Sequence, residues 1–191
     1  MPKQLQNLLT EALGNDVSVI PDEELLKESR NKYRVEHKTV DELFLEIRER
    51  IKSGKKVLLV VNTVNEAIRL YDVFTDIDCF CYHSRYIVDH RAKKEKTIEE
   101  FEKTKDGYGF LLIATQVVEV SLDIDYDFLY TENAPIDAII QRAGRVNRKR
   151  LKADTEIVIF KHLPITEKIY DVSDILQNTF NFLAEKVKIK A

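Results

Sequence analysis

Two short segments in which every side chain is apolar constrain the fold of this chain most strongly. They occupy residues 57–61 (VLLVV) and 110–114 (FLLIA). A strand with one solvated face alternates apolar and polar residues, whereas a strand that is covered on both faces is apolar throughout. Both segments are therefore predicted to be parallel strands of a sheet that carries helices on each side.

Further strand and helix patterns alternate along the rest of the chain. Strands are also predicted at 17–20, 33–37, 79–83, 127–131 and 156–160. Helices are predicted at 2–13, from 21, from 39 to about 54, after 62–65, and at 88–104, 136–144 and 169–187. Thr39 followed by Glu42 fits a capping box at the start of one of them. This alternation predicts a three-layer α/β domain with a mostly parallel sheet.

The composition is that of a soluble, charge-rich globular chain. Of its 191 residues, 44% are hydrophobic and 33% are charged, and the formal net charge is −3. Any contact with nucleic acid must therefore depend on local basic patches, because there is no overall positive field. No apolar run is long enough to span a membrane, and the first residues lack an apolar signal region. We expect a cytoplasmic protein without a membrane partner.

Arginines recur at every third position near the end of the predicted helix at 136–144. They are Arg142, Arg145 and Arg148, in the segment QRAGRVNR. A spacing of three places side chains on one face of a helix, where neighbouring guanidinium groups repel each other unless an anion lies between them. Because the planar guanidinium suits phosphate oxygens, the spacing predicts a phosphate sensor. A solvated basic helix face is the alternative.

Polar residues follow three of the predicted strands at the point where each strand ends. In a mostly parallel sheet these carboxyl ends meet at one edge, which is where ligands bind. A threonine hydroxyl beside free helix amides can hold a phosphate, although a plain helix N-cap is the alternative for each threonine. A shared groove is predicted along three turns, formed by Asn62, Thr63, His83, Ser84, Arg85, Thr115 and Gln116.

The helix predicted at 88–104 begins with several basic residues, including Arg91 and Lys94. Positive charge in a first helical turn opposes the helix dipole unless an anion is bound nearby, which favours contact with a nucleic-acid backbone. The alternative is a solvated helix on which glutamates balance the lysines.

Cys79, Cys81 and His83 stand at alternate positions, as zinc ligands on a strand could. A closed zinc site needs a fourth ligand, and only His90 is nearby in the sequence. We therefore interpret the segment as a buried strand and predict no metal site.

Two elements of a complete nucleotide site are missing from the sequence. It contains no Gly-x-x-x-x-Gly-Lys-Ser/Thr loop, and no Asp-Glu pair follows an apolar strand. Those elements hold the nucleotide phosphates and magnesium in P-loop enzymes. The chain has arginines suited to a γ-phosphate but no cradle for the nucleotide, so we interpret it as one half of a site.

Two segments resemble motifs of superfamily 2 helicases. Residues 114–125 (ATQVVEVSLDID) resemble the fifth motif, and 141–148 (QRAGRVNR) resemble the sixth. Together with 134–137 (APID) and 83–86 (HSRY), they resemble the CRISPR-associated helicase of type I interference systems. The resemblance is strong over about 55–150. It implies a RecA-like helicase C-terminal domain at 1–165 that lacks its own phosphate loop, and a C-terminal helix at 166–191 that packs on it or leads out of it.

The resemblance also implies roles for individual residues. Arg145 and Arg148 would be arginine fingers that reach the γ-phosphate of ATP, which would be held with magnesium jointly with the other lobe. Gln141, Arg142 and Asp123 would contribute to the ATP site, with Asp123 at the ribose. The backbone of one DNA strand would lie against Asn62, Thr63, His83, Ser84, Arg85, Thr115 and Gln116.

The implied function is that of a second motor lobe in an ATP-dependent DNA helicase or translocase. Its partners would be the first RecA-like lobe, single-stranded DNA, an HD nuclease domain or subunit, and the CRISPR surveillance complex. The isolated chain is expected to hydrolyse no ATP, because it lacks the phosphate loop and the Asp-Glu pair. Two alternatives are the C-terminal lobe of another superfamily 2 helicase, acting on RNA or in DNA repair, and a non-catalytic nucleic-acid-binding module.

Overall fold

A computed structural model describes residues 31–104, 107–120, 122–170 and 173–188. The elements predicted at 2–13, at 17–20 and from 21 lie outside the described residues. One six-stranded sheet forms the centre, in the order β1-β6-β5-β2-β4-β3, and every pair of neighbouring strands is parallel. The strands are β1 (Lys32–Glu36), β2 (Lys56–Val60), β3 (Cys79–Tyr82), β4 (Phe110–Ala114), β5 (Phe128–Glu132) and β6 (Glu156–Phe160).

Helices connect most of the consecutive strands, as the sequence pattern predicts, whereas the described residues between β4 and β5 form only a 3₁₀ turn. Two short 3₁₀ turns occur in addition, at Asp41–Leu43 and Gln116–Glu119. None of the described helices is long and apolar enough to cross a membrane. The helices are α1 (Phe44–Lys52), α2 (Val64–Val73), α3 (Val88–Thr104), α4 (Ile136–Ala143), α5 (Pro164–Tyr170) and α6 (Ser173–Lys188).

The side chains of β2 alternate between two separate cores. Leu58 and Val60 pack in the cluster that α3, α4 and α6 cover, whereas Val57 and Leu59 pack in the cluster that α1 and α2 cover. All four side chains are fully buried. Replacing a leucine of this kind with alanine costs about 2–5 kcal/mol of stability, because transfer and cavity effects add. The predicted three-layer α/β architecture with a parallel sheet is confirmed.

The predicted closing helix at 169–187 corresponds over most of its length to α6, but its first two residues belong to a separate helix, α5, and 171–172 lie outside the described residues. Pro164 is the first residue of α5, a position where its missing N–H costs no helical hydrogen bond. The start of α5 is bound to the end of β5, because Glu132 accepts hydrogen bonds from Leu163 N and the Thr166 hydroxyl. Helix α6 instead packs along β1. Periodicity alone does not show that the two segments attach to different strands.

The predicted capping box before α1 is partly present. Thr39 N donates to Glu42 Oε2 at 2.8 Å, as the pattern requires. The first turn that follows is a 3₁₀ turn rather than an α-helical one.

Candidate functional site

Arg142 lies in the centre of the lobe rather than on its surface. Its side chain is fully buried, and each of its guanidinium N–H groups has a partner. The partners are Glu119 Oε1 at 2.9 Å, Thr131 Oγ1 at 2.9 Å, Glu132 O at 3.1 Å, Asn62 Oδ1 at 3.0 Å and the Tyr170 hydroxyl at 3.2 Å.

The prediction that three arginines share one helix face is wrong. Helix α4 ends at Ala143 with Gly144 as its C-cap, so only Arg142 belongs to the helix. Arg145 and Arg148 lie on the following loop, which pairs with the segment that leads into β5: Asn147 N donates to Tyr126 O at 3.1 Å. The three arginines therefore occupy three different environments.

Arg145 holds the loop that precedes β5. Its Nη1 donates to Leu122 O at 2.8 Å, and its Nη2 donates to Glu119 O. Its Nε is buried and has no hydrogen-bond partner among the described residues. Burial and the neighbouring Arg148 guanidinium lower the pKa of Arg145. Neutralising the Arg148 charge, or placing an anion nearby, would stabilise the charged form of the Arg145 side chain.

Arg148 is the exposed member of the row. Its Nη1 lies 2.9 Å from Asp123 Oδ1, and the two side chains are 48% and 83% exposed. A pair this exposed contributes little to stability, so its carboxylate can be exchanged for another anion at low cost. Gln141 is also exposed, one residue before the buried Arg142.

Asn62, at the end of β2, is buried and bonded within the lobe. Its N donates to Glu132 Oε2 at 2.8 Å, and its Nδ2 donates to Asn133 O at 3.0 Å. Its carbonyl accepts from Gln116 Nε2 at 3.0 Å. The carboxyl ends of β2 and β4 are therefore joined directly, as the shared-groove prediction requires. However, Asn62 holds the groove together from inside and does not face solvent.

The two threonines of the predicted groove differ from each other. Thr63 is the N-cap of α2, and its Oγ1 accepts from Glu66 N at 3.1 Å. A hydroxyl that accepts a hydrogen bond can still donate its own hydrogen, for example to an anion, and the side chain is half-buried. Thr115 is fully buried, precedes only the 3₁₀ turn at Gln116–Glu119, and makes no side-chain cap hydrogen bond.

The turn after β3 has one buried residue and two exposed ones. His83 is buried and stacks on Tyr86, with 4.3 Å between ring centroids. Burial, Lys94 and Arg85 lower the pKa of His83, and its Nδ1 has no partner among the described residues. Ser84 and Arg85 are exposed. The stacked imidazole thus supports a turn whose next two side chains face solvent.

The basic start of α3 is used within the lobe. Arg91 Nε donates to the Tyr82 hydroxyl at 2.9 Å. Lys94 Nζ donates to Cys81 O at 2.9 Å and to the Tyr86 hydroxyl at 2.8 Å. The start of this helix was expected to favour contact with a nucleic-acid backbone. Arg91 and Lys94 do not support that expectation, because both side chains make hydrogen bonds that anchor the helix to the strand β3 and the turn after it.

Cys79 and Cys81 lie on one face of β3, in the core beneath α2. Burial raises the pKa of Cys79 to about 12 and that of Cys81 to about 11. Among the described residues, no group of three or more His, Cys, Asp or Glu side chains could hold a metal ion.

Glu119, Glu132 and Tyr170 complete the site, and the sequence interpretation did not include them. Glu132 is a fully buried carboxylate at the end of an otherwise uncharged strand, a signal that could have identified it. Glu119 interrupts the apolar run of residues 117–120 in a similar way. No comparable signal marks Tyr170, which meets the site only because α5 packs there.

Known proteins are similar to this chain in sequence and in fold. Residues 53–151, slightly more than half of the chain, match the family described as "CRISPR-associated nuclease/helicase Cas3, C-terminal". The CRISPR-associated nuclease/helicase Cas3 of Methanothermobacter thermautotrophicus is 35% identical over 159 residues, which cover 76% of this chain and 19% of that relative. The chain thus spans about a fifth of the length of this curated relative.

Two solved structures have the same fold. "Crystal structure of T. fusca Cas3-AMPPNP" superimposes with a TM-score of 0.75 at 23% identity, covering 90% of this chain and 23% of the other. "CRISPR RNA-guided surveillance complex, pre-nicking" contains a chain that superimposes with a TM-score of 0.67 at 23% identity, covering 82% and 22%. The fold is that of a RecA-like helicase C-terminal domain, and the chain belongs to the family of Cas3 C-terminal domains.

Proposed function

We propose that this chain is the second motor lobe of an ATP-dependent DNA helicase that acts in CRISPR interference. The observation that carries the proposal is the exposed Arg148 guanidinium, placed beside Asp123 by a loop that Arg145 anchors. The sequence holds no phosphate loop, so this cation would act on a nucleotide that another lobe binds. ATP with magnesium is the substrate that such an arrangement suits.

The residues fit one side of a nucleotide. Arg148 offers an exposed planar donor whose present partner is a solvated carboxylate. The buried Nε of Arg145, in the same loop, has no acceptor within the part of the chain that the structure describes. Asp123 is 83% exposed and could accept a hydrogen bond from a ribose hydroxyl, and Gln141 faces solvent nearby in the sequence. Arg142 would act on the nucleotide only through its neighbours, because its N–H groups are all used.

We propose that the carboxyl edge of the sheet binds the backbone of single-stranded DNA. Exposed or half-buried donors of Thr63, Ser84 and Arg85 would make the contacts. Gln116 would contribute through the turn to which it belongs, because its side-chain N–H groups donate to Asn62 O and to the Tyr170 hydroxyl. Asn62, His83 and Thr115 are buried, so they would hold the turns in place rather than touch DNA. Backbone contact without base readout suits a motor that moves along any sequence.

The proposed partners follow from the resemblance to CRISPR-associated helicases, and the relatives' greater length and their description as nuclease/helicase support them. The first RecA-like lobe would supply the phosphate loop, and an HD nuclease domain or subunit would cut the DNA. The structural neighbour in a "CRISPR RNA-guided surveillance complex" supports such a complex as the recruiting partner.

Steady-state ATP hydrolysis tests this function. It is measured for the chain alone, for the first lobe alone and for the two lobes joined as in the longer relatives, each with and without single-stranded DNA. We expect hydrolysis only when both lobes are present. Turnover by this chain alone would contradict a half-site. DNA binding by the joined lobes without any ATP hydrolysis would favour the non-catalytic nucleic-acid-binding module.

A further inference from the structure

Helix α5 is attached to the candidate site although it lies beyond the residues that match the family, 53–151. The buried carboxylate of Glu132 makes the attachment. Its Oε1 accepts from Leu163 N at 2.9 Å and from the Thr166 hydroxyl, and its Oε2 accepts from Asn62 N at 2.8 Å. A carboxylate at a helix start is favoured by the helix dipole, so one side chain fixes α5 relative to the end of β2.

The hydroxyl of Tyr170, the last residue of α5, lies where three functional segments meet. It donates to Asn62 Oδ1 at 3.2 Å, and it accepts from Arg142 Nη2 at 3.2 Å and from Gln116 Nε2 at 3.5 Å. A phenolic hydroxyl has one hydrogen to donate and two lone pairs. Its hydrogen-bonding capacity is therefore used completely by the groove residues and by the arginine of the sixth-motif segment.

A continuous set of hydrogen bonds leads from Arg142 to the arginine loop. Arg142 Nε donates to Glu119 Oε1 at 2.9 Å, and the backbone carbonyl of Glu119 accepts from Arg145 Nη2. Arg145 also donates to Leu122 O at 2.8 Å. A shift of Gln116 would thus displace the Tyr170 hydroxyl and then Arg142. Through Glu119 it would reach the loop that carries Arg148.

We propose that Tyr170 is a positioning residue that couples the DNA-binding groove to the arginine loop. This inference rests on the proposed function. When DNA draws the Gln116 turn into one position, the Tyr170 hydroxyl holds Arg142, and through Glu119 the Arg145 loop, in the matching position. Tyr170 itself touches neither DNA nor nucleotide. In known cases, coupling of this kind means that a ligand at one site changes the affinity of the other site by roughly 5- to 150-fold.

The test is the stimulation of ATP hydrolysis by single-stranded DNA in the complete two-lobed helicase. Stimulation is the ratio of kcat at saturating DNA to kcat without DNA. Tyr170→Phe keeps the ring and removes only the hydroxyl. We expect this variant to lower the stimulation about three- to tenfold, as the loss of one or two hydrogen bonds would. A partly unfolded variant would lose both rates by the same factor, and its ratio would be unchanged.

Tyr71→Phe, an exposed tyrosine on α2, is the matched control and should retain the wild-type ratio. In a double-mutant cycle, Tyr170→Phe and Gln116→Ala should be non-additive in the stimulation, whereas Tyr71→Phe and Gln116→Ala should be additive. A wild-type ratio in Tyr170→Phe, or additivity with Gln116→Ala, would overturn the coupling. A wild-type helicase that hydrolyses no ATP would instead contradict the proposed function itself.

Discussion

Arg142 Nη2 donates to Asn62 Oδ1 across 3.0 Å, which joins two residues that were expected to bind two different ligands. The sequence placed Arg142 at the nucleotide and Asn62 at the DNA. In the structure each is buried and serves as the other's partner. The candidate nucleotide site and the candidate DNA groove are therefore joined by a buried hydrogen bond. A structural change in one site can be transmitted to the other through this direct contact.

Arg142→Met should strongly destabilise the lobe. Methionine is apolar and of similar length, so the carboxylate of Glu119 and the hydroxyl oxygen of Thr131 would lose this donor. Asn62 Oδ1 would keep only the hydrogen bond from the Tyr170 hydroxyl. Removing one partner of a buried ionic network costs about 3–5 kcal/mol. Urea unfolding monitored by circular dichroism measures the loss. Arg148→Met is the control, and because that side chain is exposed its effect should stay within about 0.5 kcal/mol.

Much of the fold could be predicted because the sheet is buried on both faces. The apolar segments at 57–61 and 110–114 correspond to β2 and β4 within one residue, and β6 occupies the predicted range. The charged helix predicted at 88–104 corresponds to α3. The apolar pattern did not distinguish α5 from α6, because the contact of Glu132 with Thr166 that attaches α5 to β5 joins residues 34 positions apart.

The candidate site was less predictable than the fold. Helical spacing suggested one face for Arg142, Arg145 and Arg148, although the helix itself was predicted only as far as Gly144. Helix α4 ends at Ala143, so the helical spacing does not extend to Arg145 and Arg148. The partners of Arg142 depend on the order of the strands: Asn62 is 80 residues away along the chain and lies beside it because β5 pairs with β2. Residue types and motif spacing indicated which segments matter, and tertiary packing decided which side chains face outward.

Arg145→Met should lower both the stability of the lobe and its activity, whereas a change at Arg148 should lower activity alone. Its two hydrogen bonds to Leu122 O and to Glu119 O hold the loop before β5, and charge-assisted bonds of this kind are worth about 1.5–3 kcal/mol each where buried. Because the side chain is only partly buried, we expect a total loss of about 1–2 kcal/mol in urea unfolding. An unchanged unfolding midpoint would show that the two carbonyl contacts do not stabilise the lobe.

The free energy of unfolding of the lobe should decrease in mild acid because of His83. Its pKa is lowered in the folded state by burial, Lys94 and Arg85, so the folded protein binds fewer protons than the unfolded chain. Stability is therefore complete above the unfolded pKa of about 6.5 and falls as the pH drops below it. His83→Phe, which can keep the stack on Tyr86, should show a smaller loss between pH 6.5 and 5.5. Identical slopes for the variant and the wild type would contradict this assignment.

The two cysteines should be almost unreactive in the folded lobe. Their thiols have pKa values raised to about 12 for Cys79 and about 11 for Cys81, and only the thiolate is the nucleophile. A disulfide reagent at pH 8 should label neither thiol within minutes, and should label both after unfolding in urea. Rapid labelling of Cys79 before unfolding would show that β3 opens at the edge of the sheet.

Substitution of Arg148 measures whether this lobe supplies an arginine finger. In the complete two-lobed helicase, Arg148→Ala should lower the steady-state rate of ATP hydrolysis by about 10³-fold or more, as the loss of an arginine finger does. Affinity for single-stranded DNA should remain within about threefold, because electrostatic contacts to the backbone are made elsewhere. The neighbouring exposed lysine provides the control, and Lys149→Ala should hydrolyse ATP at the wild-type rate. Hydrolysis by Arg148→Ala at a rate close to wild type would contradict the account.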